Sequence, residues 1–194
     1  MNTRSQADSS RRQIHLVLLF VLLMAATRSH HVAGLHNLPD ASWAIFFLAG
    51  QHLRRGAVFA LLAVLATAID AIAIGWGGVS GYCVTPAYAM LLPTYAALWL
   101  GGRWHAQRIA GGRALLPSLA LAVGVSATVA ELCSSGGFYF LGGRYADPTL
   151  AEFLPRLVKY FPSMLGAMAL YVAVATLLHA FVIDRARTSA ARAE

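Results

Sequence analysis

The sequence predicts an all-α polytopic membrane protein, and three observations carry that expectation. First, 58% of the 194 residues are apolar and only 12% are charged, where soluble domains carry about 25%. Second, the apolar residues fall into long runs and mean hydropathy is +0.62. Third, the basic residues alternate along the chain between clusters and near-absence. Eight acids and fifteen Lys and Arg are thin polar cover for a water-exposed surface. A soluble enzyme, a disordered chain and a disulfide-rich secreted scaffold are therefore disfavoured. With roughly 20 residues per span, the chain holds about six helices and short loops.

The apolar runs give the elements in order. Ile14–Thr27 is the first span, and Ala41–Leu53 is the second and weakest, ending in Gln51-His52. Ala57–Trp76, Pro86–Leu100, Ala114–Cys133 and Pro162–Ile183 complete the six. Several fall short of a full bilayer crossing, so flanking residues or local thinning must complete them. Residues 1–12 and 185–194 read as cytoplasmic tails around a transmembrane domain at 13–184.

The charges orient this layout. Arg4, Arg11, Arg12, Arg54, Arg55, Arg103, Arg108, Arg113, Arg185, Arg187 and Arg192 share one side if six helices alternate. Only Arg28, Arg144, Arg156 and Lys159 fall on the other. This positive-inside pattern places both termini in the cytoplasm. The formal charge of +7 is thus explained by topology, and no nucleic-acid partner is expected. Reading the first run as a cleaved signal peptide would leave five spans and spoil the alternation.

The outer side gathers the chemistry. Its loops, 28–40, 77–85 and 134–161, hold His30, His31 and His36, then GWGGVSGYCVTP with Cys83, then ELCSSGGFYFLGGRY with Cys133, Phe138, Tyr139, Phe140 and Tyr145. Glycines permit unusual backbone shapes and aromatic rings offer flat contact, so the two Gly-rich loops suggest a mobile cover over a ligand. Leu150, Phe153, Leu154, Leu157, Val158 and Phe161 recur at helical spacing. They suggest an amphipathic helix in the outer interface, either a plain connector or a lid, weakened by Pro155.

Two acids interrupt apolar runs. An unpaired charge in hydrocarbon costs about 2.5–3.5 kcal/mol on the insertion scale. Glu131 is either an interfacial residue reaching water or part of a site. Asp70 lies deeper, which favours a role, with pairing to Arg28 or a histidine as the structural alternative. Cys83 and Cys133 could form a disulfide or remain thiols. No CxxC or HExxH occurs. The neighbours His30 and His31 would point about 100° apart on a helix and cannot alone hold a metal. His15, His52, His105 and His179 read as interfacial residues near the cytoplasmic ends. Tyr88 by itself reads as packing.

Taken together, SHHVAGLHNLP after the first helix, Asp70 within ATAIDAIAIGWGGVSGYCVTPAYAM, and Cys83 followed by Tyr88 resemble the BtuM family. These are solitary cobalamin-transporting relatives of the substrate-binding (S) subunits of energy-coupling-factor (ECF) transporters. The likeness spans nearly the whole chain in length, layout and motif order, and GYCVTPAYAM is its specific part. It implies an ECF S-component-like fold in a bacterial inner membrane. It implies Cys83 as the lower axial ligand of the cobalt in cobalamin, with His31 (or its neighbour His30), Asp70 and Tyr88 lining the site. It implies base-off binding of the corrinoid and loss of cyanide from bound cyanocobalamin, with Cys83, His31 and Asp70 as the reacting set. No metal beyond the corrinoid cobalt is expected.

The chemistry is coherent with that. The thiolate is the ligand form, a histidine titrates near neutrality, and a carboxylate can orient it. The Ala-x-x-x-Ala docking motif of module-dependent S subunits is absent, Ala25-x-x-x-Ser29 being nearest. That suits a solitary transporter without an ECF module. No P-loop is visible, so ATP use would need a coupling complex with ATPases. Two other expectations stand beside this one: an S-component for another vitamin or a metal ion, and a membrane thiol oxidoreductase using Cys83 and Cys133.

Overall fold

The computed structural model describes residues 3–28, 38–53, 55–112 and 114–191, with side chains described between Ser10 and Phe181. All regular structure among them is helical: α1 (Thr3–Arg28), α2 (Ser42–His52), α3 (Gly56–Gly75), α4 (Leu91–Ala110), α5 (Leu115–Glu131), α6 (Gly137–Leu141) and α7 (Leu150–Ala191). Among the described residues, four stretches are long and apolar enough to cross a membrane: Ser10–Arg28, Gly56–Gly75, Leu115–Leu141 and Leu150–Phe181. Large apolar side chains on them face outward, including Leu22, Val64, Leu116 and Leu177. An exterior of that kind suits lipid and not water.

The second predicted span takes a different form. α2 has 11 residues, which is about 16 Å against a hydrocarbon core of about 30 Å. Every residue from Ser42 to Gly50 is buried. Its apolar residues point all round because α1, α3, α4 and α7 all pack on it. The run that reads as a weak span is thus a short central helix.

Close approach between α2 and α4 depends on two glycines. A Cβ on Gly50 would overlap the Trp99 carbonyl, and one on Gly102 would overlap the Phe47 carbonyl. Small residues at such crossings let backbones meet, as at helix contacts within membranes. Aromatic side chains fill the adjoining space. Phe46 stacks on Tyr95 with ring centroids 4.0 Å apart, and Phe59 meets Trp99 edge-on at 5.7 Å.

The third predicted outer loop is largely helical. α5 runs through a π-helical turn at Leu132–Gly136 into α6. Gly137 allows this segment to lie against Met90, whose side chain a Cβ would strike at 2.6 Å. The predicted interfacial helix at 150–161 is not separate from the sixth span. α7 continues for 42 residues with Pro155 and Pro162 inside it. Each proline removes one backbone hydrogen bond, and packing within a membrane protein tolerates that loss.

The reading of His105 also changes. It is fully buried, with Nδ1 3.1 Å from Ser118 Oγ, and is not an interfacial residue. Phe47 covers its ring at 6.5 Å.

Candidate functional site

The helix ends carrying Arg28, Asp70 and Tyr88 meet at one end of the bundle. Arg28 is the last residue of α1, and Asp70 lies in the final turns of α3. Past α3 the chain reverses through Gly78, whose φ of 69° is one that side-chain-bearing residues resist. Ser80 Oγ accepts from the Tyr82 N–H at 3.2 Å and opens a 3-10 turn at Gly81–Cys83. A second 3-10 turn, Pro86–Met90, starts on a proline with its φ already set. These two turns present Cys83 and Tyr88 on the same side.

A network of short polar contacts joins the segments. Arg28 grips Asp70 with both arms of its fork, Nε to Oδ1 and Nη2 to Oδ2, each at 2.7 Å. Such bidentate pairs are among the stronger charge-assisted bonds. The Tyr88 hydroxyl donates to Asp70 Oδ2 at 2.8 Å. Arg28 Nη1 donates to Ser42 Oγ at 3.0 Å and lies 3.6 Å from Asp40 Oδ2. Asp40 in turn accepts from the Ser42 N–H and hydroxyl at the start of α2. Asp70 therefore takes the structural partner that the sequence left open, Arg28. Among the described residues, Oδ1 accepts from one donor and Oδ2 from two.

Around this network lies a cavity of about 350 Å³, lined by Arg28, Asp70, Cys83, Ala87, Tyr88, Leu91, Ser134, Ser135, Phe138, Arg156 and Tyr160. Cys83 is an exposed free thiol within it. Three of the four sequence-selected residues thus share one cavity: Asp70, Cys83 and Tyr88. The fourth, His31, lies outside the described residues, as do His30 and His36. Phe138, chosen from the Gly-rich loop, is also in the lining.

Other candidates sit elsewhere. Cys133 is a free, half-buried thiol in a separate apolar cavity of about 670 Å³ between α4 and α5. Glu131 is buried, at 1% exposure, and accepts a hydrogen bond from Ser135. Of the two readings left open for Glu131, the one in which it reaches water is corrected: it is buried, with Ser135 of the π-helical turn donating to it.

Sequence reasoning missed Arg156, Tyr160 and the serines of the π-helical turn. A signal for Arg156 was present. It is one of the four basic residues on the side where the positive-inside pattern needs none. Among the described residues, no three His, Cys, Asp or Glu side chains converge to hold a metal ion. No protein-family model and no curated protein matches the chain.

Proposed function

We propose that this chain is a cobalamin uptake transporter of the bacterial inner membrane, with six passes and both termini in the cytoplasm. α4 would be one of the two passes beyond the four apolar stretches, and the short α2 would be the other only with the bilayer thinned around it. The observation that carries the reading is the Cys83 thiol in one cavity with Asp70, Tyr88 and the rings of Phe138 and Tyr160. A lone thiol is a poor site for a bare ion, which needs several ligands. It suits a metal whose other positions are already filled by a macrocycle. Cobalt in a corrin is such a metal, and its exchangeable axial position would take the Cys83 thiolate.

The surrounding residues divide the work. Arg28 and Tyr88 hold Asp70 rigidly, and Asp70 in turn would orient a histidine such as His31. That histidine would take the thiol proton as the Co–S bond forms. The phenyl and phenol rings would contact the apolar face of the corrin. Accessory decyanation follows from the same bond. A donating thiolate weakens the cobalt–carbon bond on the opposite face, and cyanide leaves with the bonding pair. Energy coupling is either solitary or through an ECF module with ATPases.

The cavity size sets a condition. Pockets for drug-sized ligands span about 300–1,000 Å³, and a corrin with its amide arms exceeds that class. The ring would therefore lie across the cavity mouth, cobalt toward the exposed Cys83. The same volume favours a second reading, an S-component for a smaller vitamin. The oxidoreductase reading needs two thiols that meet, and these line separate cavities.

Visible absorption of the purified protein separates the readings. After incubation with cyanocobalamin and desalting, the wild type should stay coloured and show a cobalt–thiolate band. Cys83→Ser should lose that band. A wild type that emerges colourless would end the corrinoid reading. Undiminished cyanide release by Cys83→Ala would end the decyanation mechanism alone.

A further inference from the structure

We propose that Arg156 forms an anion subsite at the cavity mouth that takes a phosphodiester. For the identity of the cargo, this rests on the transport reading above. The starting point is the set of four basic residues that topology does not require. Arg28 is neutralised by Asp70 and Asp40. Arg144 donates to the Tyr82 carbonyl at 3.0 Å and covers the Tyr82 ring. Lys159 lies over Tyr160 at 5.3 Å. Arg156 alone of the four both lines the cavity and lacks a carboxylate partner among the described residues.

Its surroundings make that position specific. The guanidinium lies 4.9 Å from the Tyr145 ring centroid, 5.6 Å from Tyr139 and 5.9 Å from Tyr160. Glu152, one turn earlier on α7, is at the spacing where acid and base pair on a helix. It accepts instead from the Tyr139 hydroxyl at 3.1 Å. Ring faces attract the cation without consuming its N–H donors. The fork is thus held in place, half-buried, and among the described residues its donors make no hydrogen bond, which leaves them for an acceptor from outside. Planar guanidinium matches two oxygens of a phosphate group.

Two sources could supply this phosphodiester. A complete cobalamin carries one in its nucleotide loop, whereas cobinamide lacks it. Phospholipid headgroups carry one as well, and the exposed Leu154 and Val158 of α7 flank the site. The test uses the full chain purified in detergent, with phosphate-free buffer. Cobalamin and cobinamide are titrated by absorbance into wild type, Arg156→Gln and Arg156→Lys, and co-purifying phospholipid is measured by phosphorus assay.

If the cargo supplies the anion, Arg156→Gln weakens cobalamin about tenfold or more. Cobinamide then stays within about twofold of wild type, and Arg156→Lys recovers part of the loss. If a headgroup supplies it, Arg156→Gln loses bound phospholipid while both corrinoids bind as before. Equal weakening of both corrinoids overturns the subsite, as does no change in either corrinoid or phospholipid. A wild type that binds no corrinoid refutes the transport reading instead. The phospholipid measurement then decides Arg156 by itself, retention in Arg156→Gln overturning the subsite and loss supporting it.

Discussion

Asp70→Asn isolates the bidentate Arg28–Asp70 pair. The substitution preserves shape and removes one charge, leaving the Arg28 guanidinium without its bidentate partner. Arg28 has 11% of its side chain exposed and Asp70 25%. Breaking a buried pair from one side costs about 3–5 kcal/mol, while fully exposed pairs contribute about 0–1 kcal/mol. Arg28 also keeps Ser42 at 3.0 Å and Asp40 at 3.6 Å. An intermediate loss of about 2–3 kcal/mol follows. At about 2–4 °C per kcal/mol for a chain of this size, Tm should fall by roughly 4–12 °C. Tryptophan fluorescence during thermal unfolding in detergent reads this directly. The decisive comparison is Arg28→Gln alone and combined with Asp70→Asn. A neutral pair can still hydrogen-bond, so the double variant should recover at least half of the summed losses. Losses that add within about 0.5 kcal/mol would refute the pairing. If the stable double variant still binds corrinoid, the charge of Asp70 serves the fold and not the ligand.

Two other outcomes are expected. Gly102→Ala puts a methyl group into the Phe47 carbonyl and should cost about 3 kcal/mol, the upper end for overpacking. Gly124→Ala on α5 meets nothing within 4 Å and should be neutral or gain up to about 1 kcal/mol. Equal monodispersity of the two on size-exclusion chromatography would contradict the close α2–α4 crossing. A membrane-impermeant maleimide should label exposed Cys83 in intact cells well before half-buried Cys133, and bound corrinoid should protect it. Equal labelling of the two thiols would remove the distinction drawn between their cavities.

Much of the candidate site was legible because membranes penalise polar residues. An acid inside an apolar run and a cysteine in a Gly-rich turn stand out against that background, and Asp70 and Cys83 do share a cavity, with Tyr88, which only the family resemblance had singled out, beside them. Arg156 escaped notice for the opposite reason. It sits on a polar helical face, where a solvated arginine is unremarked. Its place among the four basic residues outside the positive-inside pattern was a signal, and the approach of Tyr139 and Tyr145 from outside its own helix supplies what that signal lacked.

What the sequence alone determined is helical content and membrane character, since scarcity of charge and long apolar runs act locally and need no partner. It also determined which few polar residues demanded an explanation. The tertiary structure decided how those demands are met. Asp70 pairs with Arg28 from 42 positions away. α2 is wrapped by other helices, α5 continues through a π-helical turn, and α7 passes two prolines without ending. Each depends on packing between segments remote in the chain. Periodicity reports which face of a helix is apolar, and it carries no information about which neighbour will cover that face.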